Sequence, residues 1–199
     1  MALLRQKSKK DRILGMEHYC LMVKSGGEDA FKRDFEKNLK KSALMEGGAQ
    51  EESPAPSAKI SFFKKKMRDS KKREFEEALF PGYVFLSAKS LDARVEEAAK
   101  RAKNFYHFLD SNSNIQKLQG SDHEILSNLL KFGETQGISQ AYFDKDQRIV
   151  IANGPLVGFE GKITKVNRKR GRATVQVDLC SNTMKFDLAF EEMAAPDKA

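Results

Sequence analysis

An uninterrupted apolar run opened by a proline and a glycine, LFPGYVFL at residues 79–86, predicts the central strand of a sheet. Pro81 has no amide hydrogen to donate to a β-ladder and belongs at the start of a strand, and Gly82 permits a close backbone approach directly after it. Strand pairing is therefore expected to begin at Tyr83. The two-residue period sends the side chains of Tyr83 and Val84 to opposite faces, so both faces of this strand need to be covered.

The sequence before this run indicates a strand followed by an amphipathic helix. Residues 17–24, EHYCLMVK, favour a strand that the following Ser-Gly-Gly turn ends. Large apolar residues then recur at intervals of four from Phe31 onward among charged residues, which predicts a helix up to about Met45. Residues 46–58 offer almost nothing to bury, and their Gly, Ser, Pro and acidic composition predicts a flexible loop.

The chain around the central strand carries a basic segment and two further helices. Residues 59–75 alternate large apolar residues with lysines around an Asp-Ser turn, which predicts a basic, partly exposed hairpin. Ser90 is expected to cap a second helix with an alanine-rich stripe, and residues 105–109 are expected to form a strand. Ser121 and Glu124 fit a capping box for a third helix, predicted to end near residue 131.

Helical periodicity disappears beyond the third helix. Residues 132–140 are polar and contain two glycines, which predicts a flexible linker. Short alternating segments separated by turns then indicate the strands of a small barrel. These predicted strands are residues 149–152, 161–166, 173–179 and 184–188.

Composition restricts the classes of function. The formal charge of +8 and the pI near 9.4 favour polyanionic partners such as nucleic acid. Cys20 and Cys180 are far apart, which indicates neither a disulfide framework nor a zinc site and fits a reducing, cytoplasmic setting. No apolar run is long enough to span a membrane, and the basic leader lacks the apolar core of a signal peptide.

The sequence contains no recognisable catalytic constellation. The three histidines, His18, His107 and His123, are scattered without metal-ligand spacing, and nucleophile, P-loop and dinucleotide motifs are missing. His123 beside two acidic residues is better explained as part of the first turn of a helix. We therefore expect no enzyme activity, no catalytic residues, no metal and no cofactor.

Two stretches together resemble one known family. LFPGYVFL is similar to the central strand of the NusG amino-terminal (NGN) domain, and IVIANGPLVGFEGKITKVNRKRGRATVQVDL, residues 149–179, resembles the NusG carboxy-terminal KOW barrel. Their succession in a chain of this size is specific for the NusG family. The residues GPLVGFEGKI followed by RKRGRA resemble specialised paralogues of the RfaH, LoaP and capsule-regulator type more than they resemble housekeeping NusG.

The resemblance implies an α+β fold in which an antiparallel sheet flanked by helices, the NGN-like α/β sandwich, precedes a small SH3-like KOW β-barrel. The expected domains are a disordered basic leader (1–15), an NGN-like domain (16–131) with a flexible loop (46–58), a linker (132–140), a KOW domain (141–194) and a tail (195–199).

The resemblance also implies a cytoplasmic, monomeric transcription elongation factor that binds the clamp region of the largest RNA polymerase subunit and promotes processive elongation and antitermination. Its further partners would be upstream DNA or nascent RNA, and the ribosome or a termination factor through the KOW domain. The alternative is a KOW-containing RNA-binding or ribosome-associated protein.

On sequence alone, the aromatic residues of the central strand are more simply explained as core, because strand aromatics are usually buried by their own chain. The resemblance instead implies contact with the polymerase clamp. The expected polymerase-binding residues are Tyr19, Met22, Phe80, Tyr83 and Phe85.

Two basic clusters are candidate nucleic-acid contacts, with a solvated charged surface as the alternative for each. The first is Lys64, Lys65, Lys66, Arg68, Lys71, Lys72 and Arg73, for which the resemblance favours contact with upstream DNA or RNA. The second is Arg168, Lys169, Arg170 and Arg172 at a turn of the barrel, where a polar loop and a contact with RNA or another KOW partner remain equally open.

Overall fold

A computed structural model describes residues 15–45, 58–109 and 112–195 of the chain. Nearly all of the predicted leader, loop and tail lies outside these residues. The elements in chain order are β1 (Glu17–Val23), α1 (Glu28–Met45), β2 (Ala58–Ser61), β3 (Lys64–Arg68), β4 (Glu74–Ala78), β5 (Tyr83–Ala88), α2 (Ala93–Lys100), β6 (Phe105–Phe108), α3 (Gly120–Lys131), β7 (Thr135–Gln136), β8 (Ser139–Phe143), β9 (Ile149–Asn153), β10 (Ile163–Asn167), β11 (Arg172–Leu179) and β12 (Asn182–Glu192).

The chain forms two compact units that do not coincide with the predicted domains. Unit 1 comprises Met1–Phe62 and Pro81–Leu118, and unit 2 comprises Phe63–Phe80 and Gln119–Ala199. Helix α3 therefore belongs to the same compact unit as the carboxy-terminal strands, and so does the segment that precedes the central strand, residues 63–80. The predicted domain boundary at residue 131 instead assigned both to the amino-terminal domain.

Unit 1 is a helix-covered antiparallel sheet, as predicted. The strand order is β2-β5-β1-β6, and all three pairings are antiparallel. Strand β5 begins at Tyr83 and lies between two neighbours, which confirms the central strand. Its Val84 and Leu86 face the helices and are fully buried. They share a core with apolar residues of β1, β2, α1, α2 and β6, including Leu21, Ile60, Phe31, Phe35, Val95, Ala98 and Phe108.

The turn into β5 depends on a glycine. Gly82 has a φ of +80°, and a Cβ there would lie 3.2 Å from the carbonyl oxygen of Val23. The amide of Gly82 donates to Glu28 at the start of α1 (2.7 Å), and its carbonyl accepts from Val23 (2.9 Å). The predicted close backbone approach is therefore present, and it ties β5 to both β1 and α1.

We expect Gly82→Ala to lower the free energy of unfolding by about 1–2 kcal/mol, because a side chain makes the left-handed conformation costly. Gly161→Ala is the matched control, since a Cβ at that position meets nothing within 4 Å and its φ is not positive. Urea denaturation of both variants measures the difference, and equal stabilities would contradict the role of Gly82.

The helix starts differ from the predicted caps. Asp92, and not Ser90, caps α2 by accepting from the amide of Val95 (2.9 Å). Helix α3 begins after Gln119, which makes no side-chain cap, so the Ser121 and Glu124 capping box is wrong. The first turn of α3 instead uses Asp122 to accept from the amide of Cys180 (3.0 Å), a tertiary contact that competes with local capping.

Unit 2 contains a five-stranded sheet, β10-β11-β12-β8-β9, and a three-stranded sheet, β4-β3-β7. An aromatic cluster joins the two parts of the chain in this unit: Phe80 packs edge-to-face on Phe186 (5.2 Å between ring centroids) and on Phe63 (6.4 Å). Phe186 also contacts Phe159 (6.2 Å). Helices, sheets and the carboxy-terminal barrel together confirm the predicted α+β class.

Two segments differ from the sequence-based interpretation. The predicted basic hairpin is confirmed as the antiparallel pair β3 and β4, but its first strand begins at Lys64 and not at Lys59, because residues 58–61 form β2 in the sheet of unit 1. The expected linker, residues 132–140, contains β7, which pairs in parallel with β3, and the start of β8. Gln136 and Ser139 are fully buried there, so this segment has tertiary contacts that its polar composition did not indicate.

Candidate partner-binding surfaces

The face of the unit 1 sheet that points away from α1 and α2 carries three candidate side chains. Cross-strand register places Cys20 opposite Phe85 and Met22 opposite Tyr83 on this face. Phe85 is fully buried, whereas Met22 and Tyr83 are half-buried. On the other side of β1, Met22 lies opposite His107, which is also half-buried. Tyr83, Met22 and His107 thus form a partly exposed row across three strands, which we call the sheet-face row.

The remaining two predicted polymerase contacts lie elsewhere. Tyr19 faces the helices in the core of unit 1, and its hydroxyl donates to Glu17 (2.6 Å). Burial, and then this hydrogen bond, raises the pKa of Tyr19 above its usual range. Phe80 belongs to the aromatic cluster of unit 2 and is buried. Sequence reasoning missed His107, because only the β1–β6 register brings it beside Met22.

The basic segment before the central strand is partly neutralised by the strand that follows it. The β3–β4 register sets Lys65 opposite Glu77 and Arg68 opposite Glu74. The Lys65 ammonium, which is largely buried, lies 3.0 Å from the Glu77 carboxylate. The Arg68 guanidinium lies 2.8 Å from Glu74 and also pairs with Glu191 on β12. These two predicted nucleic-acid contacts are therefore held by acidic side chains.

The turn between β3 and β4 holds a third cation and exposes two others. Asp69 accepts from the backbone and the side chain of Arg73, and this lowers the pKa of the Asp69 carboxyl. Lys71 and Lys72 at the tip are exposed, with Lys72 in the left-handed conformation (φ 61°). The half-buried Lys64 and Lys66 complete the predicted set. Of the seven predicted contacts, Lys71, Lys72 and Arg73 are exposed, and Arg73 is paired with Asp69.

The Arg68 cluster predicts a pH dependence of stability. Its hydrogen bond to Glu74 lowers the pKa of that carboxyl in the folded state. A depressed folded-state pKa stabilises the fold fully above the unfolded value of about 4.3, and this contribution is lost as pH falls through the folded-state pKa. We expect Glu74→Gln to lower stability near pH 7 and the difference from wild type to vanish in acid.

Urea denaturation from pH 3 to pH 7 measures this difference. Glu76→Gln is the matched control, because Glu76 is exposed on the same strand and has no ion-pair partner among the described residues. A Glu74→Gln effect that is constant with pH would contradict an electrostatic origin.

The second basic cluster, at the β10–β11 turn, divides in the same way. Arg168 stacks over the Phe143 ring (4.3 Å to its centroid), and its Nε donates to Glu192 (2.7 Å). Arg172 donates to the backbone carbonyl of Arg68 (3.0 Å). Lys169 and Arg170 are exposed. Arg168 thus pairs with β12 of the barrel and Arg172 contacts β3 of the small sheet, whereas Lys169 and Arg170 face solvent.

The described residues contain no group of three or more His, Cys, Asp or Glu side chains placed to hold a metal ion. Among the described helices, none is both long and apolar enough to cross a membrane.

Comparison with known proteins identifies two matching families. The family described as transcription termination factor NusG matches residues 16–127, more than half of the chain, and the KOW motif matches residues 145–178. The Thermus thermophilus transcription termination/antitermination protein NusG is 24% identical over 90% of this chain and 98% of its own length. The Borreliella burgdorferi protein of the same name is 21% identical, covering 74% and 82%, and that of Synechocystis is 22% identical, covering 88% and 87%.

A solved structure supports the same fold. The structure described as "Domain interaction in Thermotoga maritima NusG" has a TM-score of 0.57 at 18% identity and covers 89% of this chain and 95% of the other. Since the NusG family match extends over both the sheet and the helices of unit 1 and the KOW match follows it in order, the chain is a member of the NusG family of transcription factors.

Proposed function

We propose that this protein is a transcription elongation factor that binds RNA polymerase and promotes processive elongation and antitermination. Several similar proteins carry the name transcription termination/antitermination protein NusG, which supports this assignment. In this proposal the protein acts as a monomer in the cytoplasm. Its barrel recruits a further partner, the ribosome or a termination factor.

The sheet-face row is the observation that carries the proposal. Tyr83, Met22 and His107 lie on one sheet face and keep part of their surface accessible, while the opposite face of the same strands is fully used by the helical core. Aromatic side chains are frequent interface hot spots, and the flexible thioether of methionine adapts to a partner's surface. We assign this row to the clamp region of the largest polymerase subunit.

In this proposal the exposed cations of the two basic clusters make further contacts with nucleic acid. Lys71 and Lys72 at the β3–β4 turn are exposed, and we assign them to phosphates of upstream DNA or nascent RNA. Lys169 and Arg170 are exposed on the barrel and are assigned the same kind of contact. In both clusters the arginines already paired with glutamates have a structural role.

Capture experiments test the proposal. The tagged protein is incubated with purified core RNA polymerase and, separately, with ribosomes, and transcription past a terminator is measured with and without it. We expect retention of the polymerase in the absence of ribosomes and increased readthrough. Retention of ribosomes or RNA without polymerase would favour the alternative, a KOW-containing RNA-binding or ribosome-associated protein.

A further inference from the structure

Strand β4 has an open edge. Among the residues that the structure describes, β3 is the only strand that pairs with β4, which therefore ends the small sheet of order β4-β3-β7. Residues 74–77 of β4 are all exposed, whereas the side chains of β3 alternate between half-buried and buried. An edge strand presents a row of backbone groups to which another extended chain can pair.

The register identifies the backbone groups of β4 that face outward. The amide of Leu79 donates to the carbonyl of Phe63 (2.8 Å), and the amide of Asp69 donates to the carbonyl of Arg73 (3.1 Å). Hydrogen-bonded pairs alternate along an antiparallel ladder, so the pairs 65–77 and 67–75 between these two ends are also hydrogen-bonded. The backbone N–H and C=O groups of residues 74, 76 and 78 therefore point away from β3.

Phe75 is the apolar contact that this edge offers. It lies opposite Met67, which is buried, but Phe75 itself is 41% exposed. The difference arises because Met67 has β4 beside it, whereas no described strand lies beyond β4. Cross-strand pairs of an aromatic with a β-branched residue are favourable, so an added strand with such a residue would cover Phe75.

The opposite face of the small sheet carries rows of opposite charge. The register sets Arg68, Lys66 and Lys64 of β3 opposite Glu74, Glu76 and Ala78 of β4. The Arg68 guanidinium lies 2.8 Å from Glu74, and the exposed Glu76 lies across from Lys66. Each carboxylate thus has a cation on its β3 side and an open side beyond the edge. Because opposite charges on adjacent strands are favourable, cations best match these positions on a further strand.

The same glutamates disfavour a second copy of the chain at this edge. If two copies of β4 paired antiparallel about Phe75, Glu74 of one copy would lie opposite Glu76 of the other. Like charges directly opposite each other are destabilising, and charged residues on edge strands prevent self-pairing in this way. The occupant must therefore bring the opposite charge.

We propose that the β4 edge binds an extended, basic segment of a partner protein, which adds to the small sheet as a further antiparallel strand. Backbone pairing at residues 74, 76 and 78 supplies affinity. Alternate side chains of the segment face opposite sides, so a β-branched residue covers Phe75 while lysines or arginines meet Glu74 and Glu76. The whole chain has a formal charge of +8, so an unspecific surface would instead prefer an acidic peptide.

The test uses two labelled peptides of about eight residues, one alternating valine with lysine and the other alternating valine with glutamate. Both are titrated against the full chain by fluorescence anisotropy. The edge variants are Phe75→Ala, Glu76→Gln and Glu76→Pro; the proline removes an outward N–H and leaves the ladder to β3 intact. Tyr106→Ala is the matched control, because Tyr106 is a 58% exposed aromatic on β6, an edge strand of unit 1. Circular dichroism verifies folding of every variant.

We expect the lysine peptide to bind about tenfold or more tightly than the glutamate peptide. Phe75→Ala should weaken this binding about threefold, Glu76→Gln about twofold and Glu76→Pro about tenfold, whereas Tyr106→Ala should bind as the wild type does. Amide hydrogen exchange at residues 74, 76 and 78 should slow when the lysine peptide is bound, which adsorption by charge alone does not produce.

Tighter binding of the glutamate peptide, unchanged affinity in Phe75→Ala and Glu76→Pro, or unchanged hydrogen exchange would overturn this site. Dimers in sedimentation velocity that Phe75→Ala dissociates would also overturn it, since a second copy would then occupy the edge. Retention of core polymerase is measured for the same variants and should stay at the wild-type level. Loss of polymerase with Phe75→Ala would assign the edge to polymerase binding instead.

Discussion

Phe186→Ala is expected to lower the free energy of unfolding of unit 2 by about 3–5 kcal/mol. Phe186 is 4% exposed and packs edge-to-face on Phe80 and Phe159, so truncation leaves a cavity between two rings. Domains are stable by only about 5–15 kcal/mol, and the loss is therefore large. Urea denaturation followed by circular dichroism measures it. Met193→Ala, at a side chain that is 41% exposed, is the control and should change stability little.

A double-mutant cycle with Phe80→Ala tests whether both parts of unit 2 share one core. Phe80 precedes the central strand and Phe186 lies on β12, more than 100 residues later. Residues in contact couple by about 0.5–3 kcal/mol, while independent sites are additive within about 0.5 kcal/mol. We expect clear coupling. Additive losses would mean that the Phe80–Phe186 contact does not couple the two parts of unit 2.

Local signals in the sequence predicted the elements of unit 1 well. Pro81 and Gly82 set the start of β5, and the four-residue spacing from Phe31 set the buried side of α1, because both depend only on neighbouring residues. The side chain that caps α2 was predicted two residues too early, at Ser90 in place of Asp92. Both residue types are good caps, and the sequence gives no basis for choosing between them.

Contacts between distant segments account for what the sequence did not predict. The run of cations from Lys64 to Arg73 reads as an anion-binding surface until the β3–β4 register places Glu74 and Glu77 opposite Arg68 and Lys65. In the same way, residues 132–140 are polar enough for a linker, and only the pairing of β7 with β3 shows how Gln136 becomes buried. Its side-chain amide donates to two backbone carbonyls, which compensates part of the cost of burial.

The candidate polymerase surface could also be predicted only in part from the sequence. Alternation along β5 correctly separated Tyr83 and Phe85 from Val84 and Leu86. It did not distinguish the accessible Tyr83 from the fully buried Phe85, because burial depends on what covers each position along the strand. Truncating both residues together would therefore mix a loss of stability with a loss of binding.

Tyr83→Ala alone separates the two effects. If the sheet-face row binds polymerase, a central aromatic anchor should contribute about 2–4 kcal/mol, which corresponds to an affinity about 30- to 700-fold weaker. Because Tyr83 is only half-buried, the thermal midpoint should fall little, whereas Phe85→Ala should cost several kcal/mol of stability. Phe75→Ala, at an aromatic that is 41% exposed and belongs to unit 2, is the control and should bind polymerase normally. Titration of labelled protein with core polymerase, with melting curves of the same samples, measures both quantities. A folded Tyr83→Ala variant with wild-type affinity would remove the row from the binding surface.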